Sequence, residues 1–128
     1  MVTITMRQVI DFRNNEGFFA DVNLPLKGAY KINKIRKAVE KEGEFYSSKF
    51  QEIVNTYAKK DDNGNIVFSE DGEQIIIQDD KIEECNQALS ELQKLEVEID
   101  NCNLTIEDLG ENLECTPDEL DALMPFLS

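Results

Sequence analysis

The chain has 128 residues, 41% hydrophobic and 31% charged, with a formal net charge of −14 and no histidine. That length makes one domain with a modest core, and the composition is that of a folding chain rather than a disordered one. The charge repels the polyanions that Lys/Arg clusters attract, so sequence-independent binding to nucleic acid or to anionic lipid is excluded.

The charge is also divided along the chain. Residues 1–60 hold 11 Lys/Arg against 7 Asp/Glu, a net of +4, and residues 61–128 hold 2 against 20, a net of −18. Cys85, Cys102 and Cys115 are odd in number and fit neither a disulfide framework nor a zinc pattern. They read as reduced thiols of a cytosolic protein, packed rather than reactive. No apolar run reaches the roughly 20 residues of a membrane span, and the N-terminus lacks a secretory pattern, so the expectation is a soluble, unsecreted protein.

In chain order, residues 1–24 predict an N-terminal helix. Thr5 and Gln8 form a capping-box pattern at its start, and Gly17 is placed to break or bend it. Residues 25–60 predict a long helix. Ile32, Ile35, Val39, Gly43, Tyr46, Phe50, Ile53 and Tyr57 recur at gaps of three and four, one stripe along a rod of roughly 50 Å. Gly43 either weakens that rod or lets another backbone approach. Residues 61–78 predict a small β-hairpin, with Ile66-Val67-Phe68 and Gln74-Ile75-Ile76-Ile77 flanking a turn at Asp71-Gly72.

A partner helix over 79–96 has the stripe Ile82, Cys85, Leu89 and Leu92, which suits antiparallel packing on the distal part of the long helix. An extended piece through Val97 and Ile99 follows. The tail, 97–128, is punctuated by caps. Thr105 and Asp108 bracket a turn ending at Gly110, and Thr116-Pro117-Asp118-Glu119 opens a last helix expected to turn Leu120, Leu123, Met124 and Leu127 inward. The fold class expected is therefore mainly α: a long antiparallel helical hairpin with a small β-hairpin insertion and short capped C-terminal helices, in one domain.

Little in the chain points to catalysis. Without histidine the commonest general base and metal ligand are missing, and no glycine pattern forms a phosphate cradle. Asp61, Asn63 and Asn65 alternate like the start of a calcium loop, but its sixth and twelfth positions are Ile66 and Gly72, so the segment reads as a helix-to-strand turn. No catalytic, cofactor-binding or metal-ligating residue is assigned, and no cofactor. Phe45, Tyr46, Phe50 and Tyr57 sit at helical spacing and read as a core seam rather than as a stacking platform.

Two binding readings of the charge remain. Acidic side chains on a rigid scaffold can imitate nucleic-acid phosphates, or they are a solvated face partly neutralised by the basic first half of the long helix. The candidate protein-binding surface is made of Asp61, Asp62, Glu70, Asp71 and Glu73 on the turns, with Lys31, Lys34 and Lys37 on the long helix. The partner expected is a protein with a basic surface, with self-association through the apolar seam as a further use.

The order of segments carries a resemblance. Leu26-Lys27-Gly28-Ala29-Tyr30-Lys31-Ile32-Asn33-Lys34 leads into the long helix, Tyr57-Ala58-Lys59-Lys60-Asp61-Asp62-Asn63-Gly64-Asn65-Ile66 closes it, Leu95-Glu96-Val97-Glu98-Ile99 follows the later helix, and Leu104-Thr105-Ile106-Glu107-Asp108-Leu109-Gly110 with Thr116-Pro117-Asp118-Glu119-Leu120-Asp121-Ala122-Leu123-Met124-Pro125-Phe126 makes the tail. This text resembles small acidic proteins of tailed bacteriophages and prophages, in families of unknown function, over nearly the whole chain. The resemblance implies a phage origin and a host-cytoplasmic or virion setting, and it brings no catalytic residues. The function expected is stoichiometric binding of another protein during infection, with inhibition of a host or defence factor first, a virion-assembly role second, and a carboxylate-metal enzyme the least supported.

Overall fold

The computed structural model describes residues 1–128 and is mainly helical. Its elements are β1 (Val2–Thr5), α1 (Met6–Asn14), α2 (Glu16–Asp21), α3 (Leu26–Tyr57), α4 (Ile82–Lys94), β2 (Glu96–Ile99) and α5 (Pro117–Leu123), with 3-10 turns at Asp79–Lys81, Ile106–Leu109 and Met124–Phe126. The chain divides into two compact units, one of Met1–Glu44 with Leu95–Ser128 and one of Phe45–Lys94.

In the first unit, the N-terminal text alternates β-branched residues and forms a strand ahead of the expected helix. β1 pairs antiparallel with β2 in the register Val2↔Ile99, Thr3↔Glu98, Ile4↔Val97 and Thr5↔Glu96. Directly paired residues share a face, so Val2, Ile4, Val97 and Ile99 turn one way, with Ile4 and Ile99 buried, while the Thr and Glu side chains take the other. Thr5 then ends the strand and caps α1, its backbone N–H donating to Gln8 Oε1 at 2.9 Å.

The N-terminal helix breaks at Asn15 and not at Gly17. Asn15 leaves helical geometry at φ −102°, ψ 18°, and its side chain donates back to the Asp11 carbonyl at 2.8 Å. The break turns Phe19 onto Phe12, stacked at 4.1 Å, and Phe126 meets Phe12 edge-on at 4.9 Å. With Met6, Val9, Ile35, Val39, Leu104 and Leu123, these rings make the core of this unit.

Two contacts fasten α3 into it. The carbonyl of Asp108 lies against Gly28, and the Arg13 side chain lies against Gly43 at 2.8 Å from where a β-carbon would stand. Gly43 thus admits a side chain, not another backbone. α5 opens on a capping box, Thr116 with Glu119 and Pro117 at the first position. Its helix stops at Leu123, and of the inward stripe expected Leu123 is buried and Leu127 half-buried whereas Leu120 and Met124 are exposed. Cys115 is likewise exposed, Cys102 half-buried and Cys85 buried. No helix is long and apolar enough to cross a membrane.

The division of charge along the chain does not survive folding. The first unit combines the basic part of α3 with the acidic tail, 8 Lys/Arg with 16 Asp/Glu, and the second holds 5 with 11.

Candidate protein-binding surface

The segment expected as a two-stranded hairpin is a three-segment closure. Residues 57–61, 65–69 and 74–78 all pair antiparallel, through Lys60↔Ile66, Phe68↔Ile75 and Ala58↔Ile77. At the centre three backbone groups form a ring. Lys59 N–H donates to the Ile76 carbonyl at 2.8 Å, Ile76 N–H to the Val67 carbonyl at 3.0 Å, and Val67 N–H to the Lys59 carbonyl at 2.9 Å. The outer bonds repeat the threefold plan, Asp61 N to Asn65 O, Ser69 N to Gln74 O and Gln78 N to Tyr57 O. A lone hairpin of this size is marginal in water, and residues 58–61, immediately after α3, supply most of the missing third segment.

Two turns project from this closure, and each is tied by an aspartate. Asp61 Oδ1 accepts from the N–H groups of Asn63 and Asn65 at 2.9 and 3.0 Å, and Gly64 takes φ +82°. Asp71 Oδ1 accepts from Glu73 N–H at 3.1 Å and from the Ser69 hydroxyl, and Gly72 takes φ +74°. The Ser69 hydroxyl, and then the Glu73 N–H, hold the Asp71 carboxyl below the usual carboxylate range. These are turn-forming roles that short acidic side chains fill well. The calcium-like alternation is accounted for in the same way, since Asp61 closes its own turn. No three Cys, Asp or Glu side chains converge to hold a metal ion.

Of the residues expected at a binding surface, Asp61, Asp62, Glu70, Asp71 and Glu73 all lie exposed on these two turns. An open cleft of about 540 Å³ in the same unit, lined by none of these acids, places Lys59 and Lys60 with Asp79 and Asp80. Lys31, Lys34 and Lys37 belong to the first unit. Lys31 is half-buried and bound, donating to Asp108 Oδ2 at 2.7 Å and to the Asn103 carbonyl at 3.2 Å. Lys34 lies over the Tyr30 ring at 5.1 Å, and hydrogen bonding to Tyr30 holds its ammonium above the usual lysine range. Lys37 is exposed.

The larger signal is apolar. In the unit Phe45–Lys94 only Ala58, Cys85 and Leu92 are buried, while Phe45, Phe50, Phe68, Ile76 and Ile82 are exposed. Phe68 keeps 53% of its surface, far from the usual fate of a phenylalanine. Sequence spacing identifies the α3 aromatics as a seam but not whether the seam finds cover. For Phe68 and Ile76 the only clue is that a short closure has no second layer in which to bury both faces.

No family model, no curated protein and no solved structure matches this chain.

Proposed function

We propose that this chain is a non-enzymatic bacteriophage protein that binds one protein partner stoichiometrically in the host cytoplasm, and that the contact inhibits a host or defence factor. The observation that carries the reading is the set of exposed apolar side chains in the unit Phe45–Lys94, which also displays exposed acids on the turns at 61–65 and 69–74. Exposed apolar side chains are the anchors of protein interfaces, and the unit's excess of acids favours a partner whose surface is basic.

Affinity capture with the tagged full chain from infected cells tests it. A host nuclease or signalling enzyme held in a one-to-one complex supports inhibition. Capsid or tail proteins in the eluate support the assembly role instead, and an empty eluate removes the binding reading.

A further inference from the structure

Folding uses only part of the basic first half of α3 to neutralise the chain's acids. Lys31 pairs with Asp108 and Arg36 with Glu16. Lys27, Lys34, Lys37 and Lys41 are exposed, and none of them forms an ion pair. At 3.6 residues per turn these four occupy about 80° of the helix circumference and about 21 Å of its axis, opposite the buried Ile32, Ile35 and Val39. Tyr30 lies within the same arc, 60% exposed, with the Lys34 ammonium over its ring, and Leu26 beside the arc keeps 88% of its surface. α3 holds no acidic residue from Leu26 to Val39, and Glu40 and Glu44 flank the stripe only at its far end. Asp100 acts on Lys34 from outside the helix, but its Oδ1 already accepts from the Cys102 N–H.

We infer that this face of α3 docks an acidic segment of a partner protein, rich in Asp and Glu and carrying an aliphatic or aromatic residue against Leu26 and Tyr30. Four unpaired lysines in one arc set the sign of the occupant, and the exposed tyrosine and leucine among them are anchors of the kind protein interfaces use. Exposed charges farther off than about 8 Å are largely screened at physiological ionic strength. A short acidic segment therefore responds to the lysines beside it rather than to the net −14 of the chain. A duplex nucleic acid, with one negative charge per about 1.7 Å, runs past the stripe onto the acidic remainder. A second copy brings a further −14. The inference stands apart from the reading above, which concerns the unit Phe45–Lys94 and a partner of opposite sign.

The test uses the full chain and three fluorescent probes, followed by anisotropy at low and high salt. One is a Leu/Glu peptide, one is the same peptide with Gln for Glu, and one is a single-stranded DNA oligonucleotide of the same charge as the first. The expected result is saturable one-to-one binding of the Leu/Glu peptide, about tenfold tighter than either other probe and weakened by added salt. The double variant Lys34→Glu/Lys37→Glu should weaken it about tenfold. Lys59→Glu/Lys60→Glu makes the same change of net charge in the other unit and should leave it unchanged, both variants being folded by circular dichroism. Backbone chemical shifts of the unmutated chain give a readout independent of the variants, and perturbation should centre on 26–41.

Equal binding of the Gln peptide, equal loss in the two double variants, perturbation centred elsewhere, or no binding overturns the inference. Equal or tighter binding of the oligonucleotide overturns it too, because the stripe then takes polyanions in general. So does a dimer in sedimentation that Lys34→Glu/Lys37→Glu dissolves, because a second copy then fills the stripe. Failure of the Leu/Glu peptide beside a stoichiometric protein captured from infected cells removes this inference alone, and binding of the peptide with an empty capture removes only the reading above.

Discussion

A β-carbon built on Gly28 would stand 1.9 Å from the main-chain oxygen of Asp108, so α3 and the 106–109 turn touch backbone to backbone. Neither backbone moves cheaply. Alanine gains about 1 kcal/mol of helix propensity over glycine in an open helix, but here overpacking costs about 3 kcal/mol or more. Gly28→Ala should therefore lower the midpoint of urea unfolding strongly. Gly17→Ala is the control, since nothing lies within 4 Å of its added methyl, and it should be neutral or stabilising by about 0.5 kcal/mol. A harmless Gly28→Ala would contradict the contact.

The same turn is held by charge. Asp108 Oδ2 accepts from Lys31 Nζ at 2.7 Å and from the Thr105 N–H and hydroxyl at 3.0 and 3.1 Å. The Lys31 ammonium first, then the Thr105 N–H, bring the carboxyl from 3.8 down to about 2. A depressed carboxylate stabilises the fold above its unfolded value and loses that contribution as pH falls through the folded one. The stability gap between the unmutated chain and Asp108→Asn should thus be constant above about pH 5 and close between about pH 4 and 2. Chemical denaturation across that range checks it. A gap that persists below pH 2 would contradict the assignment.

Asn101 is 2% exposed and joins the turn after β2 to the C-terminus. Its amide donates to the Phe126 carbonyl at 2.8 Å and to Ser128 Oγ at 3.2 Å, while its Oδ1 accepts from Asn103 N–H at 3.4 Å. Asn101→Ala strands buried polar groups and should cost about 1–3 kcal/mol in a denaturant titration. In that turn Cys102 and Asn103 take φ of 54° and 56°, left-handed values that suit glycine. Cys102→Gly should accordingly stabilise by about 1 kcal/mol.

The local signals in the sequence survived best. The boxes at Thr5 and Thr116 and the turn from Thr105 to Gly110 depend on residues a few positions apart, and all three form. The α3 stripe was equally plain. What escaped was non-local. β1 exists because Val2 meets Ile99, and the hairpin became a closed ring because the residues just after α3, Lys59 among them, joined it. At the candidate surface, exposed acids were legible from their turns. The exposed Phe50 and Phe68 were not, because spacing says which residues share a side but not whether anything covers it.

Phe68 separates stability from recognition. With 53% of its surface already in water, Phe68→Ser should cost unfolding stability no more than about 2 kcal/mol, while weakening capture of the partner. A large stability loss with capture unchanged would place Phe68 in the support of the tip and not in an interface.

The most direct measurement is amide hydrogen exchange of the full chain, free and in complex with its captured partner. The account predicts added protection within Phe45–Lys94, strongest along the distal part of α3 and at the 65–69 and 74–78 segments. Protection confined to Met1–Glu44 and Leu95–Ser128 would contradict it.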